Sequence, residues 1–353
     1  MRLHAAQALL PDGWAKDVAV TLNGTRIAEV TPGAVPQPGD KRLDALMPAP
    51  ANLHSHAFQR AMAGMTERRG PSGSDSFWTW RRLMFRFLDQ LTPDDVQAIT
   101  AYVQMEMLEA GYGASVEFHY LHHAPGGLPY ADRAEMSARI AAAAAETGIG
   151  LTLLPVLYMQ GGVDGRDLSP GQVRFGNDIH GYNAIVDGAE AALNSLPEDA
   201  RLGIAPHSLR AVTREALAQC AIMRPDAPIH MHLAEQVAEV EEIEAAYGAR
   251  PVEWLLSNAE VTDRWCLIHC TQMQRAETLP LAHSGAVAGL CPTTESSLGD
   301  GIFDGVAWTR AGGTFGIGSD SNIRISLTEE LRVLEMSQRL RDKGRAMLAT
   351  EQA

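Results

Sequence analysis

Eight short apolar runs, set apart by stretches with helical signals, constrain the fold of this chain more than any other feature. They are the run from near Leu46 that ends in Leu53-His54-Ser55-His56, then Ala114 to Phe118, Leu151 to Tyr158, Leu202 to Pro206, Pro228 to Leu233, Trp265 to Ile268, Gly285 to Leu290 and Thr314 to Ile317. Continuous apolarity over such short lengths fits strands buried on both faces, the condition of parallel strands covered by helices. Between them, Thr92-Pro93-Asp94-Asp95 predicts a helix with proline in its first turn that runs to a stop at Gly111, and an Ala-rich helix is expected near Arg133 to Glu146. The alternation predicts an α/β fold, a closed (β/α)8 TIM-like barrel over residues 46–353. Ahead of it, residues 1–45 predict a small β element. Asp17 to Leu22 alternates polar and apolar residues, Asn23-Gly24 marks a hairpin, Arg26 to Val30 answers it, and Pro32 to Gly39 is a linker.

Polar residues collect at the expected C-terminal ends of these strands: His54 and His56, Glu117 to Tyr120, His207 and Arg210, His232 and Glu235, His269, and Asp320. Barrel enzymes keep their chemistry at that rim. Residues two apart in a strand share a side, so His54 and His56 present two imidazoles to one point. An H-x-H pair alone is a weak signal, but Ile229 to Glu235 and Gly316 to Ser321 repeat the pattern. A third His and an Asp would complete a four-ligand site suited to Zn²⁺ or a similar ion. His230 shares the parity of His232 but lies deeper in its strand, and is expected in the core.

Charge narrows the partners. The formal balance is 29 − 43 = −14, and only Lys16, Lys41 and Lys343 are lysines. That argues against nucleic acid or an anionic membrane surface, and any anionic ligand must be held by locally placed Arg. Cys220, Cys266, Cys270 and Cys291 form no C-x-x-C pair and read as buried core residues in a reduced compartment. The first residues lack a signal-peptide apolar region and no run reaches membrane-spanning length, so the expected location is the cytoplasm.

The set H-S-H, H-L-A-E, I-H-C and G-S-D-S, in this order, resembles the mononuclear-metal deaminase branch of the amidohydrolase superfamily. The segments N-L-H-S-H-A-F-Q-R-A-M, S-F-W-T-W-R, E-F-H-Y-L-H-H and H-S-L-R-A-V bring it nearest to the branch that deiminates N-formimino-L-glutamate, from about Leu46 to Arg341. The resemblance implies His54, His56, His232 and Asp320 as ligands of one divalent metal, Zn²⁺ with Fe²⁺ as the alternative. No Lys stands near His207 where two-metal relatives bridge their ions. It further implies Asp320 as base, His269 orienting the hydroxide such a metal makes available, and Glu235 carrying protons to the leaving nitrogen. Arg81, in an aromatic-rich Phe77 to Arg81 loop, and Arg210 would hold substrate carboxylates, with Arg82 able to stand in for Arg81. Gln59, Tyr120 and His207 would complete the pocket, and Glu117 is expected in a buried hydrogen-bonding role.

The implied activity is hydrolysis of N-formimino-L-glutamate to N-formyl-L-glutamate and ammonia. The alternatives are a deaminase of a nucleobase or triazine ring, or a catalytically silent metal-binding relative. The expected partner is a small molecule with carboxylates, with a homodimer left open. By the same resemblance, a segment after the last barrel helix would complete the N-terminal sheet. As the sequence stops at Ala353, an exposed sheet edge is expected.

Overall fold

The computed structural model describes residues 1–66 and 77–348, the side chains of 77–79 excepted. It divides into two compact units, Met1–Pro50 and Ala51–Ala353.

The first unit is a four-stranded sheet of β1 (Arg2–Leu10), β2 (Gly13–Asn23), β3 (Arg26–Thr31) and β4 (Lys41–Leu46), in the order β3-β2-β1-β4. The Asn23-Gly24 hairpin forms as expected, with Asn23 opposite Arg26 and Gly24 at φ 60°. Ala5, Ala8, Val18 and Val20 pack its small core, while β3 is exposed along its length at the sheet edge. Strand β4 corrects the reading of the Leu46 run. Leu46 pairs in parallel with Ala8 of β1, so it belongs to this sheet. Pro48 and Pro50, which offer no N–H to a ladder, interrupt the run. The strand bearing His54 therefore begins at Ala51.

The second unit carries the strands β5 (Ala51–Ser55), β6 (Ala114–His119), β7 (Gly150–Leu157), β8 (Arg201–Leu202), β9 (Ala205–Pro206), β10 (Ile229–Leu233), β11 (Trp265–His269), β12 (Val287–Leu290) and β13 (Thr314–Ile317). All their pairings are parallel. The run from Leu202 to Pro206 is thus one barrel position made of two short pieces, both on β7. At the break, a Cβ on Gly203 would stand 2.2 Å from Leu154 Cδ2 and 3.1 Å from Pro228 O, so a larger residue there would have to displace the buried Leu154 side chain. Closure comes from two bridges. Ile204 pairs with Ile229, and Ser55 pairs with Asp320. In the second, Asp320 N donates to His54 O and His56 N donates to Asp320 O, both at 2.9 Å. A Cβ on Gly318 would fall 2.7 Å from His54 Cβ, so the glycine is what allows the last strand to press against the first.

The helices between strands end where their capping residues direct. Thr92 and Asp95 form a capping box ahead of Pro93–Glu109, and Gly148 in the left-handed region ends Glu135–Thr147. All four cysteines are free and buried. Among the described residues, no helix is long and apolar enough to cross a membrane.

Candidate metal centre and substrate pocket

The ends of β5, β10 and β13 bring four side chains to one point. His54 Nε2 lies 3.2 Å from His56 Nε2, 3.1 Å from His232 Nε2 and 3.5 Å from Asp320 Oδ1, and His56 Nε2 lies 3.1 Å from the same oxygen. Four ligands at tetrahedral Zn–N and Zn–O distances stand about 3.4 Å from one another, so the spacing fits a common ion. Ring orientation supports this. His56 Nδ1 donates to Phe118 O at 2.8 Å, and His232 Nδ1 lies 3.2 Å from His207 O. Those carbonyls accept the ring protons and leave the Nε2 lone pairs facing inward, the usual outer support of a metal-binding imidazole. Burial holds His54 and His232 well below the ordinary imidazole value, which keeps their lone pairs free. For Asp320, burial opposes ionisation, but the hydrogen bond and charge of His56 and the charge of His269 outweigh it, and its carboxyl is lowered. Three imidazoles and a carboxylate, buried together, can hold a divalent cation.

Beside this group stand Glu235 and His269. His269 Nε2 lies 3.8 Å from Glu235 Oε1, and the His269 ring stacks on His232 at 5.5 Å between centroids. His269 Nδ1 lies 3.2 Å from Glu295 Oε1, which also accepts Cys291 N at 2.8 Å. Burial works against a charge on His269, yet Glu235, Glu295 and Asp320 reverse this and push the imidazole up to about 10. Burial raises the Glu235 carboxyl, so it favours the protonated form that a general acid needs. Its backbone is held too, since the amides of Ala234 and Glu235 donate to the Glu239 carboxylate at 3.2 and 2.9 Å. Ala234, His269, Cys270, Asp320 and Asn322 all have positive φ. Such backbone is costly for residues with a Cβ, and here it clusters at the strand ends where the side chains are aimed.

Above the cluster is a pocket of about 670 Å³ of atom-free space, partly open to solvent, lined in part by Gln59, Arg81, Tyr120, His207 and Arg210. All the substrate-side residues expected from sequence are therefore brought together. Gln59 Nε2 donates to Tyr120 Oη at 2.7 Å, and the His207 ring meets Tyr158 edge-on at 4.6 Å. Arg81 carries its guanidinium 5.1 Å from the Phe85 ring centre. It sits in the α-helix Phe77–Leu88 and not in a loop, which corrects the reading of the aromatic stretch. Helical spacing explains the choice between neighbours: Arg81 lines the pocket with Met84 and Phe85, while Arg82 is exposed. Arg210 is half-buried, and its Nε is bonded to nothing among the described residues. Glu117 takes the buried hydrogen-bonding place expected of it, accepting Ala57 N at 2.7 Å, and burial pushes its carboxyl up to about 7. His230 is buried, as expected, and outside the cluster.

Sequence reasoning missed Glu295, Glu239 and the aromatic residues Trp80, Tyr158 and Phe175 of the pocket. Glu239 could have been found four residues after Glu235, in the first turn of the helix Val237–Tyr247. Glu295 had no such signal, being 26 positions from the histidine it contacts. A network that supports Asp320 was also missed. Asn52 Nδ2 donates to Ser319 Oγ at 2.6 Å, Ser319 Oγ to Asn322 Oδ1 at 2.5 Å, and Asn322 Nδ2 to Ser55 Oγ at 3.1 Å.

Comparison with known proteins gives a consistent set of relatives. The pattern of the amidohydrolase family matches residues 45–353, and that of the formimidoylglutamate deiminase HutF N-terminal domain matches residues 1–44. A formimidoylglutamate deiminase of Pseudomonas aeruginosa is 47% identical over 348 residues, which are 98% of this chain and 76% of that one. An 8-oxoguanine deaminase of the same organism is 27% identical over 86% of this chain and 67% of its own. Among solved structures, an amidohydrolase from Brucella melitensis superposes with a TM-score of 0.96 at 50% identity, covering 100% of this chain and 78% of that one. An adenosine deaminase from Xanthomonas campestris with bound zinc shares the fold at a TM-score of 0.79 and 19% identity, over 99% of this chain and 76% of its own.

Proposed function

The chain belongs to the amidohydrolase family, and from that premise we infer that it hydrolyses N-formimino-L-glutamate to N-formyl-L-glutamate and ammonia. The observation that carries the substrate is the placement of Arg81 and Arg210 on the wall of one pocket whose floor holds the His/Asp cluster and the Glu235–His269 pair. Two guanidinium groups suit two carboxylates, and a protein of net charge −14 needs such local cations to hold a dianion. The relative of Pseudomonas aeruginosa named for this activity supports the reading.

His54, His56, His232 and Asp320 would hold a single divalent ion. We take it to be zinc, on the nitrogen-rich donor set and the zinc of the Xanthomonas campestris relative. Bound there, the ion supplies Lewis-acid polarisation and makes water a better nucleophile near neutral pH. The remaining chemistry belongs to side chains. Asp320 takes one proton as water attacks the formimino carbon. Glu235 protonates the imino nitrogen, for which its raised carboxyl is suited. Collapse of the tetrahedral adduct forms the formyl carbonyl, breaks the carbon–nitrogen bond and leaves the last proton on ammonia. The proton on Asp320 then restores Glu235. His269, oriented by Glu295, hydrogen-bonds the attacking oxygen. Gln59, Tyr120 and His207 complete the walls around the substrate.

The test is ammonia release by purified, zinc-loaded protein from N-formimino-L-glutamate, from a panel of purines, pyrimidines and triazines, and from a buffer blank. The dicarboxylate is expected to be preferred by orders of magnitude in kcat/KM. Preference for a ring substrate overturns the substrate reading, and loss of activity on every compound overturns the enzymatic one.

A further inference from the structure

Arg174 belongs to none of the motifs above, yet it is among the largest fully buried side chains, 1% exposed. A buried guanidinium is costly unless its donors are met. Backbone carbonyls meet three of them: Nε donates to His123 O at 2.7 Å, Nη2 to Leu91 O at 2.9 Å, and Nη1 to Leu88 O. Leu88 is the last residue of the helix Phe77–Leu88, where the negative end of the helix dipole favours a cation, and its carbonyl also accepts Leu91 N at 3.1 Å. The carbonyl of Arg174 in turn accepts both His122 N and His123 N at 3.0 Å. One residue thus ties together the end of that helix, the turn after it, the loop that follows β6, and its own loop after β7.

What the clamp holds is the substrate wall. The helix carries Trp80, Arg81, Met84 and Phe85, all on the pocket. The next residue after Arg174, Phe175, meets Tyr120 at 4.8 Å and Tyr158 at 5.6 Å between ring centroids, and also contacts Phe85. Nearby, a Cβ on Gly171 would fall 2.3 Å from Phe85, so the loop approaches the helix closely at a second point. This helical side of the wall lacks the strand ladders that fix the floor, and a fork donating to three segments supplies the missing constraint.

We propose that Arg174 is a positioning residue for the reaction, holding the Phe77–Leu88 helix so that Arg81 meets the distal end of the substrate and selects for a second carboxylate. This rests on the substrate reading above. Arg174→Met is expected to raise KM for N-formimino-L-glutamate about 10-fold or more, to change kcat by less than about 3-fold, and to leave metal content unchanged. It should also lower the preference for the dicarboxylate over its mono-amide analogue. Arg174→Lys keeps the charge without the fork and should lie between the two. If Arg174 acts through Arg81, the double variant Arg81→Met/Arg174→Met binds no worse than Arg81→Met alone, since coupled residues are not additive. Fully additive losses, or a fall in kcat at unchanged KM, overturn the proposal. Hydrogen exchange supplies a readout independent of substrate. Amides of residues 77–91 should exchange at least about 10-fold faster in either variant while those of β10 and β11 keep their protection. Uniform acceleration, or none, overturns the clamp. If wild-type protein fails to turn over formimino-glutamate, the substrate reading falls, and exchange still decides whether Arg174 holds the helix.

Discussion

On the pocket floor, His54, His232 and His269 lie in strands β5, β10 and β11, and His56, Glu235 and Asp320 lie one to three residues beyond strand ends. On the wall, Gln59 lies in the 3-10 turn Ala57–Met62, Arg81 in a helix, and Arg210 in a turn beyond β9. The floor takes its geometry from parallel ladders that run round a closed barrel, so each side chain starts from backbone that has no freedom to drift. Tyr120 and His207 follow directly on β6 and β9, but the helical side of the wall takes its geometry from single side chains such as Arg174 and from aromatic packing. Errors in the two regions should therefore have different signatures. Damage to the floor should change metal content or the chemical step, and damage to the wall should change binding and selectivity.

The largest effect should come from the centre of the floor. His56→Ala is expected to lose metal and activity together, by on the order of 10³-fold or more in kcat/KM. Elemental analysis alongside ammonia assays checks it, and a variant that keeps one metal per chain would break the ligand assignment. Next comes Glu235→Gln, which should keep the metal and lower kcat by roughly 10²-fold, the usual range for a general acid-base group. Normal kcat would remove Glu235 from proton transfer and leave the floor with a metal role alone.

On the wall, Arg210→Met is expected to cost about 2 kcal/mol in kcat/KM, roughly 30-fold, the loss of a charged hydrogen bond. Metal content should not move. Steady-state kinetics with the dicarboxylate and its mono-amide analogue decides the matter: if wild type and variant discriminate the two equally, Arg210 reads no carboxylate. The smallest effect on activity lies behind the floor. Glu330 is fully buried and accepts Thr293 N at 2.8 Å, at the start of the Pro292–Leu298 helix that carries Glu295. Burial pushes its carboxyl from 4.5 up to about 8. The folded chain therefore keeps a proton that the unfolded chain has released. Its stabilising contribution is present below the unfolded value and lost as pH rises towards the folded one. Relative to Glu330→Gln, wild type should lose up to a few kcal/mol of stability over that window. Thermal melts of both proteins across the pH range test it, and parallel profiles would refute the buried-acid description while leaving activity untouched.

Legibility in the sequence followed the same division as the floor and wall. The parity of His54 and His56 could be read directly, because a strand repeats every two residues. The same was true of the alternation of apolar runs and helical stretches that identifies the barrel. The resemblance placed the wall residues in one pocket, but it described the Arg81 segment as a loop. Helical spacing put Arg81 on the pocket and Arg82 outside it.

Local pattern was enough to specify the barrel, the gathering of its polar residues at one rim, and the shared side of His54 and His56. All three rest on local periods of 2 and 3.6 residues, and a chain carries those wherever it folds. Folding in three dimensions decided that Leu46 joins the first sheet beside Ala8 and that Gly318 lets the last barrel strand press against the first. It also decided that Glu295 faces His269 and that Arg174 reaches a carbonyl 86 positions away. These choices depend on which distant backbone groups come within hydrogen-bond or van der Waals range once the ladders have formed, and no local period encodes that distance.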